Sequence, residues 1–189
     1  MSEIGKPERV TQRRVVALFQ SLGWTFLGDW KDREGNANVD PDLLREFLRE
    51  SGVAPVLADR AIDALTRKAS DANASLYDAN RETYSMLRHG VQLVPEPGKP
   101  NETVRFIDWD HPERNRFAFA EEVTLKGDYD RRPDSVMYVN GIAIGVLELK
   151  RSTVSVGEGI RQAISNQQSL FHARFYSTVQ FVMAGNDTE

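Results

Sequence analysis

The run Arg132-Pro133-Asp134-Ser135-Val136-Met137-Tyr138-Val139, then Asn140-Gly141, then Ile142-Ala143-Ile144-Gly145-Val146-Leu147-Glu148-Leu149-Lys150, decides how this chain folds. Two apolar runs flank a turn-forming Asn-Gly pair, the pattern of a β-hairpin. An aspartate opens the first run and a Glu-x-Lys closes the second. Ionisable groups are costly to bury in a strand pair unless they are paired or hold a metal. Three of them at one end of an apolar hairpin therefore mark a site that uses charge. On a strand, Val146, Glu148 and Lys150 share a face while Leu147 and Leu149 point the other way. Whether Asp134 joins them depends on the turn. A two-residue turn pairs Val139 with Ile142 and sets Asp134 opposite Leu147, on the wrong face. A three-residue loop, Val139-Asn140-Gly141, pairs Asp134 with Val146 and places it diagonal to Glu148. The expectation is that loop, or a bulge with the same effect on parity.

Downstream of the hairpin, Gly157 to Phe171 reads as a helix with Ile160, Ala163, Ile164 and Gln167 on one side. Thr178 to Ala184 follows as a strand, and its continuous apolar character predicts full burial. That strand–helix–strand order predicts a right-handed parallel crossover. Upstream, Arg116 to Leu125 reads as another strand. Val91–Val94 and Glu102–Ile107 form a strand pair around the turn residues Pro95 to Pro100. Closer to the N-terminus, Pro7 to Leu22 carries Val15, Leu18, Phe19 and Leu22 at helical spacing, and Trp24 to Leu27 is a short strand. Asp40-Pro41 opens a second helix that stops at Gly52, Pro55 opens a third, and a fourth spans Leu76 to Arg88. The segment from about residue 41 to 90 thus reads as a helical insertion beside a sheet, serving as scaffold or partner-docking surface. The fold class is α/β (α+β): a mixed central sheet flanked by helices, in one domain over residues 1–189.

The 189 residues are 40% hydrophobic, enough for one good core. No apolar run is long enough to cross a membrane, and the N-terminus lacks the apolar stretch of a secretory signal. The absence of cysteine excludes disulfides, thiolate zinc sites and a cysteine nucleophile, and suits the cytoplasm. His89, His111 and His172 are too scattered for a metal site. A net charge of -4 argues against a generally basic nucleic-acid surface. However, Arg131, Arg132, Lys150, Arg151 and Arg161 cluster around the hairpin, and Arg13 and Arg14 sit in the first helix. Such a local basic rim is compatible with DNA held mainly by other domains, although an ordinary solvated face is the better account of any single one of these arginines.

Two carboxylates facing one another repel, and a divalent cation between them removes the conflict; hard oxygen ligands suit magnesium. Phosphodiester hydrolysis needs a metal-activated water and neutralisation of charge on the phosphate oxygens, which Lys150 could supply. The bland alternative is a Glu-Lys surface pair with Asp134 capping a turn.

The spacing of Pro133-Asp134 and Glu148-Leu149-Lys150 resembles that of the PD-(D/E)xK nucleases. The longer pattern, from Glu8-Arg9-Val10-Thr11-Gln12 through Val139-Asn140-Gly141-Ile142-Ala143 and Leu147-Glu148-Leu149-Lys150-Arg151-Ser152 to Met183-Ala184-Gly185-Asn186-Asp187, resembles the N-terminal nuclease domain of type I restriction enzyme R (motor) subunits. The resemblance implies a restriction-endonuclease-like fold and magnesium-dependent cleavage of double-stranded DNA. It also implies an adjoining ATP-driven translocase and association with methyltransferase and specificity subunits. By that analogy Asp134 and Glu148 bind the metal and Lys150 is catalytic. Gln162 matches the glutamine of the family's Gln-x-x-x-Tyr motif, whereas Asn166 stands at the tyrosine position, which leaves that tyrosine's role without a carrier. Glu8 best matches an assisting acid on the first helix. The chain holds no G-x-x-x-x-G-K-[ST], so ATP would bind only in missing motor domains. The isolated domain is expected to be monomeric and weakly active. The rival readings are a non-catalytic docking module of the restriction complex and a repair or RNA nuclease of the same fold.

Overall fold

The computed structural model describes residues 9–126, 130–151, 153–168 and 174–186. Its elements run α1 (Arg9–Ser21), β1 (Thr25–Asp29), α2 (Pro41–Glu50), α3 (Pro55–Ala69), α4 (Leu76–His89), β2 (Val91–Leu93), β3 (Glu102–Val104), β4 (Phe117–Glu121), β5 (Ser135–Val139), β6 (Ile142–Leu149), α5 (Val156–Asn166) and β7 (Phe181–Gly185). Strands pair in the order β1-β4-β5-β6-β7, with β2 and β3 as a separate antiparallel pair. The outer pairs β1–β4 and β6–β7 are parallel, and the inner ones antiparallel. This is the expected mixed sheet, and the expected parallel connection through the last helix is present.

Local chemistry sets the helix starts. The Asp40 carboxylate accepts from the backbone N–H groups of Asp42 and Leu43, ahead of Pro41 at the first helical position of α2. The Ser75 hydroxyl accepts from Asp78 N to start α4. One face of the sheet lies under α1, where Phe119, Met137, Leu147 and Leu149 meet Val15, Val16 and Phe19. On the other face Val136, Tyr138, Ala143 and Val146 pack with Trp30, Phe175, Tyr176 and Val179. Trp30 is the packing anchor for Tyr138, their rings 5.3 Å apart. Leu44, Leu48, Leu57, Leu65 and Leu87 of α2, α3 and α4 share a third core with Val104 and with Val139 and Ile142 at the hairpin's turn. The helical segment therefore braces the end of the hairpin remote from its charges.

The turn differs from the three-residue loop expected. Val139 pairs directly with Ile142, and Asn140 (φ +53°) and Gly141 (φ +84°) make a two-residue turn with both central residues left-handed. The strand then slips: Tyr138 pairs with Ala143 but Met137 with Gly145, leaving Ile144 as a bulge. The extra residue restores the parity that the turn alone would have lost. Ser135 pairs with Leu147, so the next step sets Asp134 level with Glu148.

The buried character expected of the last strand also needs correction. β7 is an edge strand, and Phe181, Val182 and Met183 remain 37–39% exposed. A continuous apolar run does not distinguish a central strand from an edge. β4 stops at Glu121, because Glu122 adopts φ +52° and breaks the ladder, four residues short of the expected Leu125. α5 ends at Asn166; the expected continuation toward Phe171 runs partly outside the described residues.

Gly141 tests the turn. A Cβ there would stand 2.7 Å from Leu43 Cβ and 2.9 Å from both Asp40 O and Leu44 N. Gly141→Ala adds left-handed strain to this clash and is expected to destabilise the fold by about 2 kcal/mol or more, read from the urea midpoint.

Candidate active site

The charged ends of β5 and β6 open into a cleft of about 730 Å³. Its walls include Asp134, Lys150 and Gln162, together with Gln12 and Arg13 of α1, Asp29 at the end of β1 and Lys31 beyond it, Glu121 at the end of β4 and Glu122 beyond it, and Arg132. Asp134 is partly exposed, and its Oδ2 accepts from Leu149 N at 2.6 Å, which ties the start of β5 to the end of β6. Glu148 is fully buried behind the cleft wall. Gln162 Nε2 donates to Glu148 Oε2 at 3.2 Å, and Asn166 Nδ2 donates to Oε1 at 3.3 Å. Lys150 Nζ donates to Gln162 Oε1 at 2.7 Å. Gln162 thus sits between the carboxylate and the ammonium and bonds to both. The positions 162 and 166, four apart on α5, fall on one helix face, and the β6–α5–β7 crossover lays that face over Glu148.

The structure brings together Asp134, Glu148, Lys150 and Gln162 at the ends of β5 and β6 and on α5. Glu8 lies outside the described residues. Among the histidines, His89 ends α4, His111 stands 3.7 Å from Asp108 on a remote loop, and His172 lies outside the described residues.

Asp29, Lys31, Glu121 and Glu122 were not evident from the sequence. Asp29 and Glu121 end the paired strands β1 and β4 and are themselves register partners. Only the pairing reveals that they reach the same rim as Asp134; an acid at the end of an apolar run was the available local signal. Glu122 is neutralised by Arg132 Nε at 2.5 Å and bonded by Gln12 Nε2 at 3.0 Å. Glu121 has no such relief: its buried Oε1 lacks a hydrogen-bond partner among the described residues. Burial, followed by the charges of Glu122, Asp29 and Asp134, raises its pKa above the usual carboxylate value.

Residues 6–189 match the family described as type I restriction enzyme R protein N terminus. The chain belongs to this family. It is 29% identical over 157 residues to the type I restriction enzyme HindI endonuclease subunit of Haemophilus influenzae, covering 76% of this chain and 14% of that protein. Two putative endonuclease subunits of Methanocaldococcus jannaschii are also similar. MjaVIIIP is 28% identical over 194 residues (99% of this chain, 18% of the relative), and MjaIXP is 37% identical over 155 residues (75% and 15%). The chain spans less than a fifth of the length of these curated relatives.

In this R-protein N-terminal domain, no group of three or more His, Cys, Asp or Glu side chains is placed to hold a metal among the described residues. The available set is the cross-strand pair Asp134 and Glu148. Two hard oxygen donors fit magnesium, which keeps several waters and takes one or two carboxylates. No helix among the described residues is long and apolar enough to cross a membrane.

The raised pKa of Glu121 has a definite sign in stability. A carboxyl whose folded pKa exceeds its unfolded value binds more protons when folded, so it destabilises the fold as pH rises from the unfolded toward the folded value. Glu121→Gln is expected to raise the melting temperature at pH 7. The gain should vanish below about pH 4, where the carboxyl is protonated in both states. Thermal melts at the two pH values measure it.

Proposed function

We propose that this chain is a magnesium-dependent nuclease domain of the PD-(D/E)xK type, hydrolysing phosphodiester bonds of double-stranded DNA. One observation carries the reading: the bulge at Ile144 sets Asp134 level with Glu148, with Lys150 two residues further on, just past the end of β6. Asp134 and Glu148 would hold the magnesium ion. When bound, magnesium activates a water and stabilises charge on the phosphate oxygens. Lys150 lines the cleft with its ammonium steadied by the Gln162 carbonyl, and so presents positive charge where a scissile phosphate would enter. Gln162 also donates to Glu148, which makes it a positioning residue. Arg13, Lys31 and Arg132 line the same cleft and supply backbone-phosphate contacts, which carry no sequence information.

Similarity to restriction endonuclease subunits supports a place for the domain in a multi-subunit restriction complex acting on DNA in the cytoplasm. ATP-driven motor regions of the longer protein, with methyltransferase and specificity subunits, would deliver the DNA to it. The isolated domain would be a monomer with weak activity of its own.

The test is cleavage of plasmid DNA by the full-length R subunit assembled with its methyltransferase and specificity subunits, in magnesium and ATP. Asp134→Ala and Lys150→Ala are each expected to lower the cleavage rate by about 100-fold or more while ATP hydrolysis continues. Cleavage at the wild-type rate in either variant would overturn the assignment.

A further inference from the structure

Asn166 stands where the resemblance would place a tyrosine, yet its surroundings show a defined task. It is 2% exposed, and its amide donates to Glu148 Oε1, while the amide of Gln162 takes the other oxygen. A carboxylate buried this deeply needs donors, since leaving it short of them costs more than an exposed group could. The identity of the donors matters. A lysine or arginine at this point would neutralise Glu148 and repel a second cation. The two amides reach both oxygens and bring no positive charge of their own. The Lys150 ammonium bonds to the carbonyl end of Gln162. The hydroxyl of Tyr176, 3% exposed, makes no well-formed hydrogen bond among the described residues; burial, then the Glu148 charge, raises its pKa, and its contact with Asn166 pulls the other way.

We propose that Asn166 is a positioning residue for Glu148, its side-chain amide holding the carboxylate in the orientation that binds the divalent cation. The proposal rests on the reading of Asp134 and Glu148 as metal ligands. Residues that orient ligands from behind commonly govern metal affinity by 10-fold or more, without touching the ion.

Calorimetric titration of this chain with Mg2+ tests it. Asn166→Leu approximates the side-chain shape but removes the donor, and should weaken Mg2+ binding about 10-fold and lower the melting temperature by a few degrees. Asn166→Gln, which retains an amide, should recover part of that loss. Wild-type affinity in Asn166→Leu, with Glu148→Gln unable to bind, would overturn the role of Asn166 and leave the nuclease reading intact. Absence of Mg2+ binding in the wild type, as in Asp134→Asn and Glu148→Gln, would remove both. If Asn166→Leu fails to fold, the side-chain amide resonance of Asn166 decides. It should shift in Glu148→Gln without metal and again when Mg2+ is added to the wild type. A resonance that moves in neither case overturns the proposal.

Discussion

A one-residue slip in the pairing of two strands governs the candidate site. At the turn, Val139 faces Ile142; two steps on, the bulge at Ile144 has moved β6 by one residue relative to β5. Side chains alternate with a period of two, so that slip decides whether Asp134 points with Glu148 or away from it. The bulge is held on both sides. The Ile144 carbonyl accepts from Gln180 N at 2.8 Å, and the flanking Gly145 lies against the Phe181 ring, so closely that a Cβ would come within 2.6 Å of it.

The turn itself is buried and over-determined, which prevents the register from relaxing by a change of loop type. Asn140 is wholly buried: its Nδ2 donates to Phe106 O and Asn115 Oδ1, and its Oδ1 accepts from Arg116 N. Gly141 O accepts from Asp40 N, the residue that caps α2. The helices over residues 41–89 thus contribute to the site at a distance, by fixing one end of a hairpin whose other end carries the charges. Energetically the two ends contrast. The turn end is apolar with satisfied amides, whereas the open end gathers Asp29, Glu121, Glu122 and Asp134 against Arg13, Lys31, Arg132 and Lys150. Each hydrogen bond to the buried Glu148 carboxylate contributes roughly 1.5–3 kcal/mol, against a desolvation cost of several kcal/mol. Helix α5 thus supplies two of the donors that offset the burial of Glu148.

Much of this was legible in the primary structure. The Asn-Gly dipeptide between apolar runs marked the hairpin, proline and Asx signals marked the starts of α2 and α3, and spacing and family pattern singled out Asp134, Glu148, Lys150 and Gln162 as candidates that the fold places side by side. These signals are local: periodicity, caps and turn residues act within a few positions of the chain. What failed was non-local. The apolar run Val179 to Ala184 contains nothing to say that β7 ends the sheet, because an edge is defined by the neighbour that is missing. Nor could Asp29 and Glu121 be associated with the site, since they meet it only through the parallel pairing of β1 with β4.

The sequence by itself determined the elements, the hairpin, and which residue types could carry the chemistry. Tertiary structure decided their registration: a two-residue turn with a bulge in place of a longer loop, and the donors that hold Glu148. The physical reason is that turn type and strand register have nearly equal local preferences for several solutions. The choice among them falls to buried contacts made by Asn140, Gly145 and α5 with distant parts of the chain.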